Sequence, residues 1–408
     1  MKLLVLALAL CVTHEAYGQG LFQSLVNAPA NIVEDYKKTI NAFYNRLFTQ
    51  TASRNNNHFV FSPYTIWMSL AALAEGADPS VQSQLFTSLG LPQASCARNK
   101  FYDIAVNVER PGQDVSLVRR RSLVLDESLK ENPDWANMVR NTGLLDVSHA
   151  PIKRNPKETS KRLRSYLATR KNIALTGNSV LLDSLDYQGL WTTAFADANI
   201  QRQPFFNDVG QQIGYVEMMR MKKRVRLAQV PFMNAKVLEL PVGDQGRYTM
   251  LIGVGTGNSV IRNSINVFMG SILEIFSLMQ MSIIPLDIAV PRFTLSTEFN
   301  ARPSLEDIGI RAFWRDPAAT RYVSNPPAAP GGLIQRVTVK IGSAGVEPPP
   351  SSGSDLLSGI MNLASDTATG VASAVGHQFV ADRPFMFALF DTETHTCLFA
   401  GAFSKPPQ

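Results

Sequence analysis

Apolar residues recur at helical spacing in the first long segment of the chain, and later segments carry strand patterns. The helical spacing predicts an amphipathic helix over 31–48. Two apolar runs, 237–242 and 248–254, flank a glycine-containing turn and predict a hairpin, and residues 287–297 alternate like a strand. A short helix is expected within 301–310. The residues that define the first helix are Ile32, Tyr36, Ile40, Phe43, Tyr44 and Leu47.

Helices therefore come first and strands are interleaved later, which indicates a mixed α and β fold. The chain has 408 residues, of which 45% are apolar and 18% charged, so it has enough apolar material for a large core. Neither a linker nor an internal repeat divides it. Residues 1–18 combine an early lysine, an apolar run and small residues, as in a cleaved secretory signal. We expect a secreted, extracellular single domain over 19–408, with Gln19 as its first residue.

Two cysteines, Cys96 and Cys397, remain after removal of the expected signal. They could form one disulfide bond in an oxidising compartment. Cys397 lies in the apolar run 396–403, however, which favours a buried free thiol. Either way, the fold must depend on its core rather than on a disulfide framework.

Positive charge is unevenly distributed along a chain of net charge +6. The segment 153–171 contains eight basic residues and one acidic residue, and 221–226 forms a second basic cluster. Such clusters attract a polyanion or a membrane surface, although a solvated helix face has the same composition. Without an aromatic ladder or a known nucleic-acid module, we expect no nucleic-acid partner, and without a long apolar segment we expect no membrane partner.

Catalytic patterns are missing from the sequence. The glycine-containing stretch 253–258 has Asn258 where a dinucleotide fingerprint requires glycine, so it is interpreted as a turn. The histidines stand singly and do not have the spacing of metal ligands or of a catalytic pair. We expect no enzymatic activity, no cofactor and no metal site. The histidines outside the signal are His58, His149, His377 and His395.

Four segments, taken together, resemble the serpin family in the family's own order: 57–85, 181–195, 237–254 and 381–406. The resemblance implies a monomeric α+β protein with three β-sheets, about eight or nine helices, and an exposed reactive loop near the C-terminus. Proteases cleave this loop. In inhibitory members the cut loop then inserts into the central sheet as a new strand and carries the acylated protease with it. By this resemblance, residues 342–378 are the hinge and reactive loop.

The hinge departs from the family pattern. Aligned without gaps, Gly345 and Glu347 match the family, but its Glu-Glu pair becomes Ser343 and Ala344, and its threonine becomes Val346. The small residues that normally follow are replaced by Pro348, Pro349 and Pro350. Proline has no backbone N–H and cannot donate to a sheet ladder, so we expect the three prolines, together with the altered hinge residues, to oppose insertion.

The reactive loop is also long. Counting forward from Gly345 places the scissile bond at Gly359–Ile360, whereas counting back from Phe385 places it at Ser373–Ala374. The counts differ by 14 residues, or about 46 Å of extended chain. No lysine or arginine lies between 342 and 382, which disfavours a trypsin-like target.

The resemblance also locates a shutter, the polar group through which the central sheet opens. It comprises Ser62, Thr65, Asp183 and Gln335, in which Asp183 and Gln335 replace the family's asparagine and histidine and could bond each other. Trp191 is retained and fits a packing role below the top of the sheet. The basic segment corresponds to a helix that crosses the sheet, where sulfated glycans could bind Lys157, Lys161, Arg162 and Arg164.

Two functions are compatible with these features. One is a non-trapping binding or structural protein that keeps the serpin fold but has lost loop insertion. The other is an inhibitor of a serine or cysteine protease that is not trypsin-like, acting through the long loop. We expect the partner of the protein to be a secreted protease or another extracellular protein, and the sequence does not identify it.

Overall fold

The computed structural model describes residues 30–110, 114–169, 171–243, 246–257, 259–315, 320–325, 328–347 and 378–406. Within them lie ten α-helices. They are α1 Ala30–Arg54, α2 Pro63–Glu75, α3 Pro79–Leu89, α4 Ser95–Asn107, α5 Pro133–Asn141, α6 Pro156–Tyr166, α7 Ile261–Phe268, α8 Ile272–Leu278, α9 Arg302–Asp307 and α10 Ala312–Arg315.

Strands make up most of the rest of the described chain. In chain order they are β1 Phe59–Phe61, β2 Val115–Asp126, β3 Lys130–Glu131, β4 Asp146–Ala150, β5 Ser179–Leu190, β6 Gln201–Phe206, β7 Gln212–Lys223, β8 Arg226–Val230, β9 Ala235–Val242, β10 Tyr248–Gly255, β11 Gln280–Met281, β12 Leu286–Asn300, β13 Val323–Asn325, β14 Leu333–Ile341, β15 Gly345–Glu347, β16 Gln378–Val380, β17 Phe385–Asp391 and β18 Cys397–Phe403.

The elements predicted from local patterns are confirmed. The predicted helix over 31–48 lies inside α1, which is longer at both ends. The predicted hairpin is the antiparallel pair β9 and β10, in which Val242 is opposite Tyr248. The alternating segment 287–297 lies within β12, and the short helix within 301–310 is α9. These elements are encoded locally, by periodicity and turn residues.

Three larger sheets and a two-stranded ribbon organise the described residues. The central sheet has the order β4-β2-β5-β15-β14-β12. Strand β12 continues into a second sheet, where it pairs with β7 and with β16, and β7 pairs with β6. A third, seven-stranded sheet has the order β1-β18-β17-β10-β9-β8-β11, and β3 with β13 forms the ribbon.

Helix α2 lies in the core between the central and the seven-stranded sheet, because it contacts β5, β2 and β18. Ser62 caps its N-terminus by accepting a hydrogen bond from the backbone N–H of Thr65, and Pro63 occupies the first turn. Residues 63–74 are all buried. A helix that is apolar on all sides fits this position between two sheets.

The opposite face of the central sheet is covered by α6. Leu163 of this helix packs in a separate apolar cluster with Val180 and Leu182 of β5, whereas Leu181 belongs to the main core. Successive residues of β5 thus serve two different cores, as the alternation of a strand requires. Asp183 therefore faces the same side as Leu181, toward α2.

Cys397 is a free thiol that is fully buried in the main core, so it forms no disulfide bond with Cys96. Burial raises the pKa of the Cys397 thiol well above its ordinary value. Of the two alternatives left open by the sequence, the free thiol is correct for Cys397. Among the described residues, no helix combines the length and apolarity needed to cross a bilayer.

Candidate functional site: the hinge and the sheet opening

The first part of the predicted hinge is a strand of the central sheet. After β14 ends at Ile341, the chain turns and returns as β15 between β14 and β5, antiparallel to both. On one side Val346 is opposite Ile341, and on the other side it is opposite Gly189. The hinge has therefore already inserted as far as Glu347.

Gly345 is required by this geometry. Its φ is +158°, and a Cβ at this position would lie 2.2 Å from the carbonyl oxygen of Gly189 and 2.8 Å from Cα of Leu190. Contacts this short exclude any side chain unless β5 moves. The turn itself is closed by a 2.9 Å hydrogen bond from the Gly342 N–H to the Gly345 carbonyl.

Val346 favours insertion of the hinge, whereas the sequence comparison led us to expect the opposite. Its exchange for the family's threonine counted as a departure that opposes insertion, but its side chain is only 1% exposed and packs in the main core. Burying a valine stabilises by about 1.5–3 kcal/mol, and a buried hydroxyl would need a hydrogen-bond partner. Val346 therefore stabilises the short insertion.

Backbone and side-chain hydrogen bonds hold the turn that precedes β15. Trp191 donates from its indole Nε1 to the Gly342 carbonyl and from its backbone N–H to the Ala344 carbonyl, both at 2.9 Å. The Phe195 N–H donates to the Ser343 carbonyl at 2.9 Å. Trp191 is only 6% exposed, so its packing role is confirmed and the hydrogen bonds add to it.

The carboxylate of Asp197 explains why serine, and not the family's glutamate, stands at position 343. The Ser343 hydroxyl donates to Asp197 Oδ1 at 2.5 Å. A glutamate here, as in the family pattern, would place a second carboxylate beside Asp197 and be repelled. At the other end of β15, Glu347 forms an ion pair with Lys340 of β14. The two changes at 343 and 346 thus suit the inserted turn.

Beyond β15 the sheet is closed. Strands β5 and β14 pair directly and in parallel from Leu181 with Leu333 to Leu185 with Val337. Continuing the two registers of β15 by one residue would place position 348 opposite Val339 and Tyr187. The prolines Pro348, Pro349 and Pro350 lie outside the described residues, as do the candidate scissile positions Gly359, Ile360, Ser373 and Ala374.

The four predicted shutter residues meet below the opening, and all are completely buried. Gln335 receives the Ser62 N–H on Oε1 at 3.0 Å and donates from Nε2 to the Ser62 carbonyl at 2.9 Å. The same Nε2 lies 3.0 Å from Thr65 Oγ1 and 3.2 Å from Asp183 Oδ2. The predicted bond between Asp183 and Gln335 is therefore present, and it joins β5 to β14.

A buried ion pair beside the shutter was missed by the sequence analysis. Arg121 of β2 is directly opposite Asp183 in the sheet and is completely buried. Its guanidinium donates to Glu109 Oε1 at 2.6 Å and to the carbonyls of Leu144 and Gly143 at 3.1 and 2.9 Å. The available signal was the run of three arginines at 119–121 within a mostly apolar strand, because side chains alternate along a strand and at least one arginine must face inward.

The predicted polyanion-binding residues lie on α6, which crosses the central sheet as expected. Lys157, Lys161 and Arg164 lie along one face of the helix. Arg162 is rotated from Lys161 by about 100° around the helix axis and lies on a different face. Lys157 and Arg164 line an open depression of about 420 Å³. Within the described chain, none of the four cations forms an ion pair with a carboxylate, and Arg164 Nε is buried without a hydrogen-bond partner.

The histidines of the described chain are scattered. His58 accepts the Ser404 N–H, His149 lies 3.1 Å from Glu131, and His395 stacks on Phe276. Burial lowers the pKa of His395 to about 4, so it is neutral at physiological pH. Among the described residues, no three His, Cys, Asp or Glu side chains are grouped so that they could hold a metal ion. His377 lies outside the described residues.

Comparison with known proteins identifies the family. The family model described as serpin (serine protease inhibitor) matches residues 38–406. The chain belongs to the serpin family. An uncharacterized serpin-like protein of Methanosarcina mazei is 22% identical to this serpin over 99% of its chain and 96% of the relative's own length.

Solved serpin structures share the fold. Thyroxine-binding globulin in complex with thyroxine has a TM-score of 0.75 at 16% identity and covers 92% of this serpin with 100% of its own chain. Native protease nexin-1 with heparin gives the same four values. At these identities the likeness shows the fold and not the activity.

The shutter of this serpin contains a titratable group that stands where the family pattern has asparagine. Burial raises the pKa of Asp183 to about 7, against the opposing effects of its hydrogen bond to Thr65 and of the Arg121 charge. Its Oδ1 has no hydrogen-bond partner among the described residues. The fold therefore favours protonated Asp183 and is destabilised when this carboxyl ionises.

We predict that Asp183→Asn removes this pH dependence. Between about pH 4 and pH 7 the folded state binds the proton more tightly than the unfolded state, so Asp183 makes stability fall as pH rises, by at most about 1.4 kcal/mol per pH unit. The free energy of unfolding in urea should be higher for Asp183→Asn than for the unmodified protein, and this difference should grow across the window and level off above about pH 7. The charge control is Asp307→Asn, which removes a carboxylate from an exposed ion pair with Arg54. A constant advantage at all pH values would contradict the assignment.

Proposed function

We propose that this serpin is a secreted protein that does not trap proteases by loop insertion, and that it has a binding or structural role rather than an enzymatic one. The observation that carries this proposal is the position of β15. The inserted strand reaches Glu347, and the next three residues in the sequence are prolines. The insertion that inhibitory relatives complete after cleavage would have to continue through these prolines.

The geometry of the opening makes each proline unfavourable. A strand between β5 and β14 must donate its N–H groups alternately to its two neighbours, and both flanking strands are present on either side of β15. Pro348 and Pro350 would fail to donate on one side and Pro349 on the other. Each missing bond weakens the sheet by about 1 kcal/mol, and each carbonyl left buried without a partner costs about 1–3 kcal/mol more.

Further insertion would also have to separate strands that are already paired. The direct β5–β14 pairing and the Asp183–Gln335 bond would both break. In an inhibitory loop, small residues with free N–H groups replace the lost pairing. Here the prolines cannot, so the sheet stays closed below Glu347 on our proposal. The 14-residue excess in the loop adds slack between the sheet and any acylated protease.

The alternative function is inhibition of a serine or cysteine protease through the long loop. Membership of a family described as serine protease inhibitors supports it. The loop lacks lysine and arginine between 342 and 382, so a trypsin-like enzyme is disfavoured as the target. A protease is also a possible partner of the non-trapping form, which it would cleave as a substrate.

A polyanionic partner is supported by a separate observation, the unpaired cations of α6. Native protease nexin-1 is one of the structural neighbours, and it was solved with heparin. On this serpin we propose sulfated glycans as the ligand, with Lys157 and Arg164 holding sulfate groups in the depression and Lys161 extending the contact along the helix. Arg162 lies on a different side and contributes through long-range attraction.

Incubation with proteases tests the non-trapping proposal. Mixed with a chymotrypsin-like or an elastase-like protease, the serpin should be cut in its loop while the protease keeps its activity, and no covalent adduct should survive on a denaturing gel. Replacing Pro348, Pro349 and Pro350 with alanine should restore part of the insertion and yield a detectable adduct. The control carries alanine at Ser351, Ser352 and Ser354 and should remain a substrate. A stable adduct with the unmodified protein would support the inhibitor instead.

Affinity for immobilised heparin tests the proposed glycan site on α6. Replacing the four α6 cations with glutamine should lower the salt concentration at which the protein elutes from immobilised heparin. A control with the same charge change places glutamine at four exposed cations elsewhere, Lys38, Arg262, Arg311 and Lys405. Equal elution of the two variants would show that net charge alone causes retention, and the α6 site would be abandoned.

A further inference from the structure

Residues 281–284, at the end of β11 and in the segment that leads to β12, expose apolar side chains and are referred to as the tip. Ile283 is 90% exposed, and Met281 and Ile284 are 53% and 43% exposed. Ile283 is the most exposed large apolar side chain among the described residues. Single exposed apolar residues are common, but three within four positions form an apolar patch whose exposure to water is unfavourable.

The backbone of this tip is held in place although its side chains are not buried. The Ser282 N–H donates to the Val225 carbonyl at 2.8 Å, and the Val225 N–H is received by Ser282 Oγ at 3.2 Å. Arg224 Nε donates to the Ser282 carbonyl at 2.9 Å. The tip is therefore fixed against the segment that joins β7 to β8.

The second basic cluster of the sequence, 221–226, spans this joining segment and the adjacent ends of β7 and β8. Lys222, Lys223, Arg224 and Arg226 are all exposed, and Arg226 is directly opposite Met281. Carboxylates offset part of the charge: Glu239 pairs with Arg226 at 2.9 Å, Asp287 is opposite Lys222, and α8 carries the exposed Glu274. Net positive charge and exposed apolar side chains thus occupy the same tip.

We propose that this tip docks the protein peripherally on anionic lipid bilayers. Ile283 and Ile284 enter the boundary between headgroups and acyl chains, while Lys222 and Arg224 face the lipid phosphates. Weak apolar insertion and weak electrostatic attraction together give a useful affinity where neither would alone. The sequence-based expectation of no membrane partner rested on the lack of a spanning segment, which peripheral docking does not need.

The chemistry of the tip favours a bilayer over the other anionic partner considered for this protein. A sulfated glycan offers charge but no apolar phase for Ile283. The cations of α6 match such a glycan, because none of the most exposed large apolar residues of the described chain lies on that helix. Of these two surfaces, the tip is the one that combines exposed apolar side chains with positive charge, the two features that a bilayer surface requires.

Vesicle sedimentation tests the proposal with the full-length secreted protein. It should bind vesicles that contain about 30% phosphatidylserine in phosphatidylcholine and should not bind pure phosphatidylcholine. Ile283→Ser with Ile284→Ser should weaken binding at least about fivefold, as should Lys222→Gln with Arg224→Gln. The matched control, Val209→Ser with Ile213→Ser, removes two other exposed apolar residues and should bind normally.

A spectroscopic variant gives an independent readout. The tryptophan emission of an Ile283→Trp variant should shift to the blue when anionic vesicles are added, and that of a Val209→Trp variant should not. No binding to anionic vesicles would overturn the proposal. So would normal binding by the Ile283→Ser, Ile284→Ser variant, or loss of binding only when the α6 cations are replaced, because the contact would then not involve the tip.

Discussion

Backbone hydrogen bonding between β5 and β14 is the constraint on which the function of this fold depends. Any strand that enters there must supply N–H groups to both neighbours, and it must separate two strands that otherwise pair with each other. Gly345, Val346 and Glu347 meet the requirement at the upper end of the opening. Proline has no N–H with which to meet it, and our proposal therefore assigns the limit of insertion to the three prolines that follow Glu347.

The two ends of the opening are stabilised by different chemistry. At the upper end, burial of Val346 and the bonds from Trp191 to the turn favour a short insertion. At the lower end, Asp183 and Gln335 bond across the opening beside the buried Arg121. A partly inserted hinge above and a closed polar cluster below form a state that is reached without cleavage, which is consistent with the proposed non-trapping role.

The elements of the fold could be predicted from the sequence because α1, the β9–β10 hairpin and β12 are each encoded by local spacing. The shutter was also predicted, since its side chains stand in segments that resemble the family. The insertion of β15 was not, because it depends on two registers between distant segments. In the sequence, Ser343 is only a departure from the family's glutamate. The structure explains it by placing Asp197, 146 residues away, beside it. Arg121 was missed because its partners Glu109, Gly143 and Leu144 come from other elements.

Thermal unfolding of the protein before and after cleavage in the loop tests the central claim most directly. Full insertion of a cut loop adds a ladder of hydrogen bonds and buried apolar contacts to the central sheet, and each 1 kcal/mol gained raises the melting temperature by about 1 °C in a domain of this size. Our account predicts that the intact and cut forms melt within a few degrees of each other. A cut form that melts far above the intact one would show that the strand passes beyond Glu347 and would contradict the account.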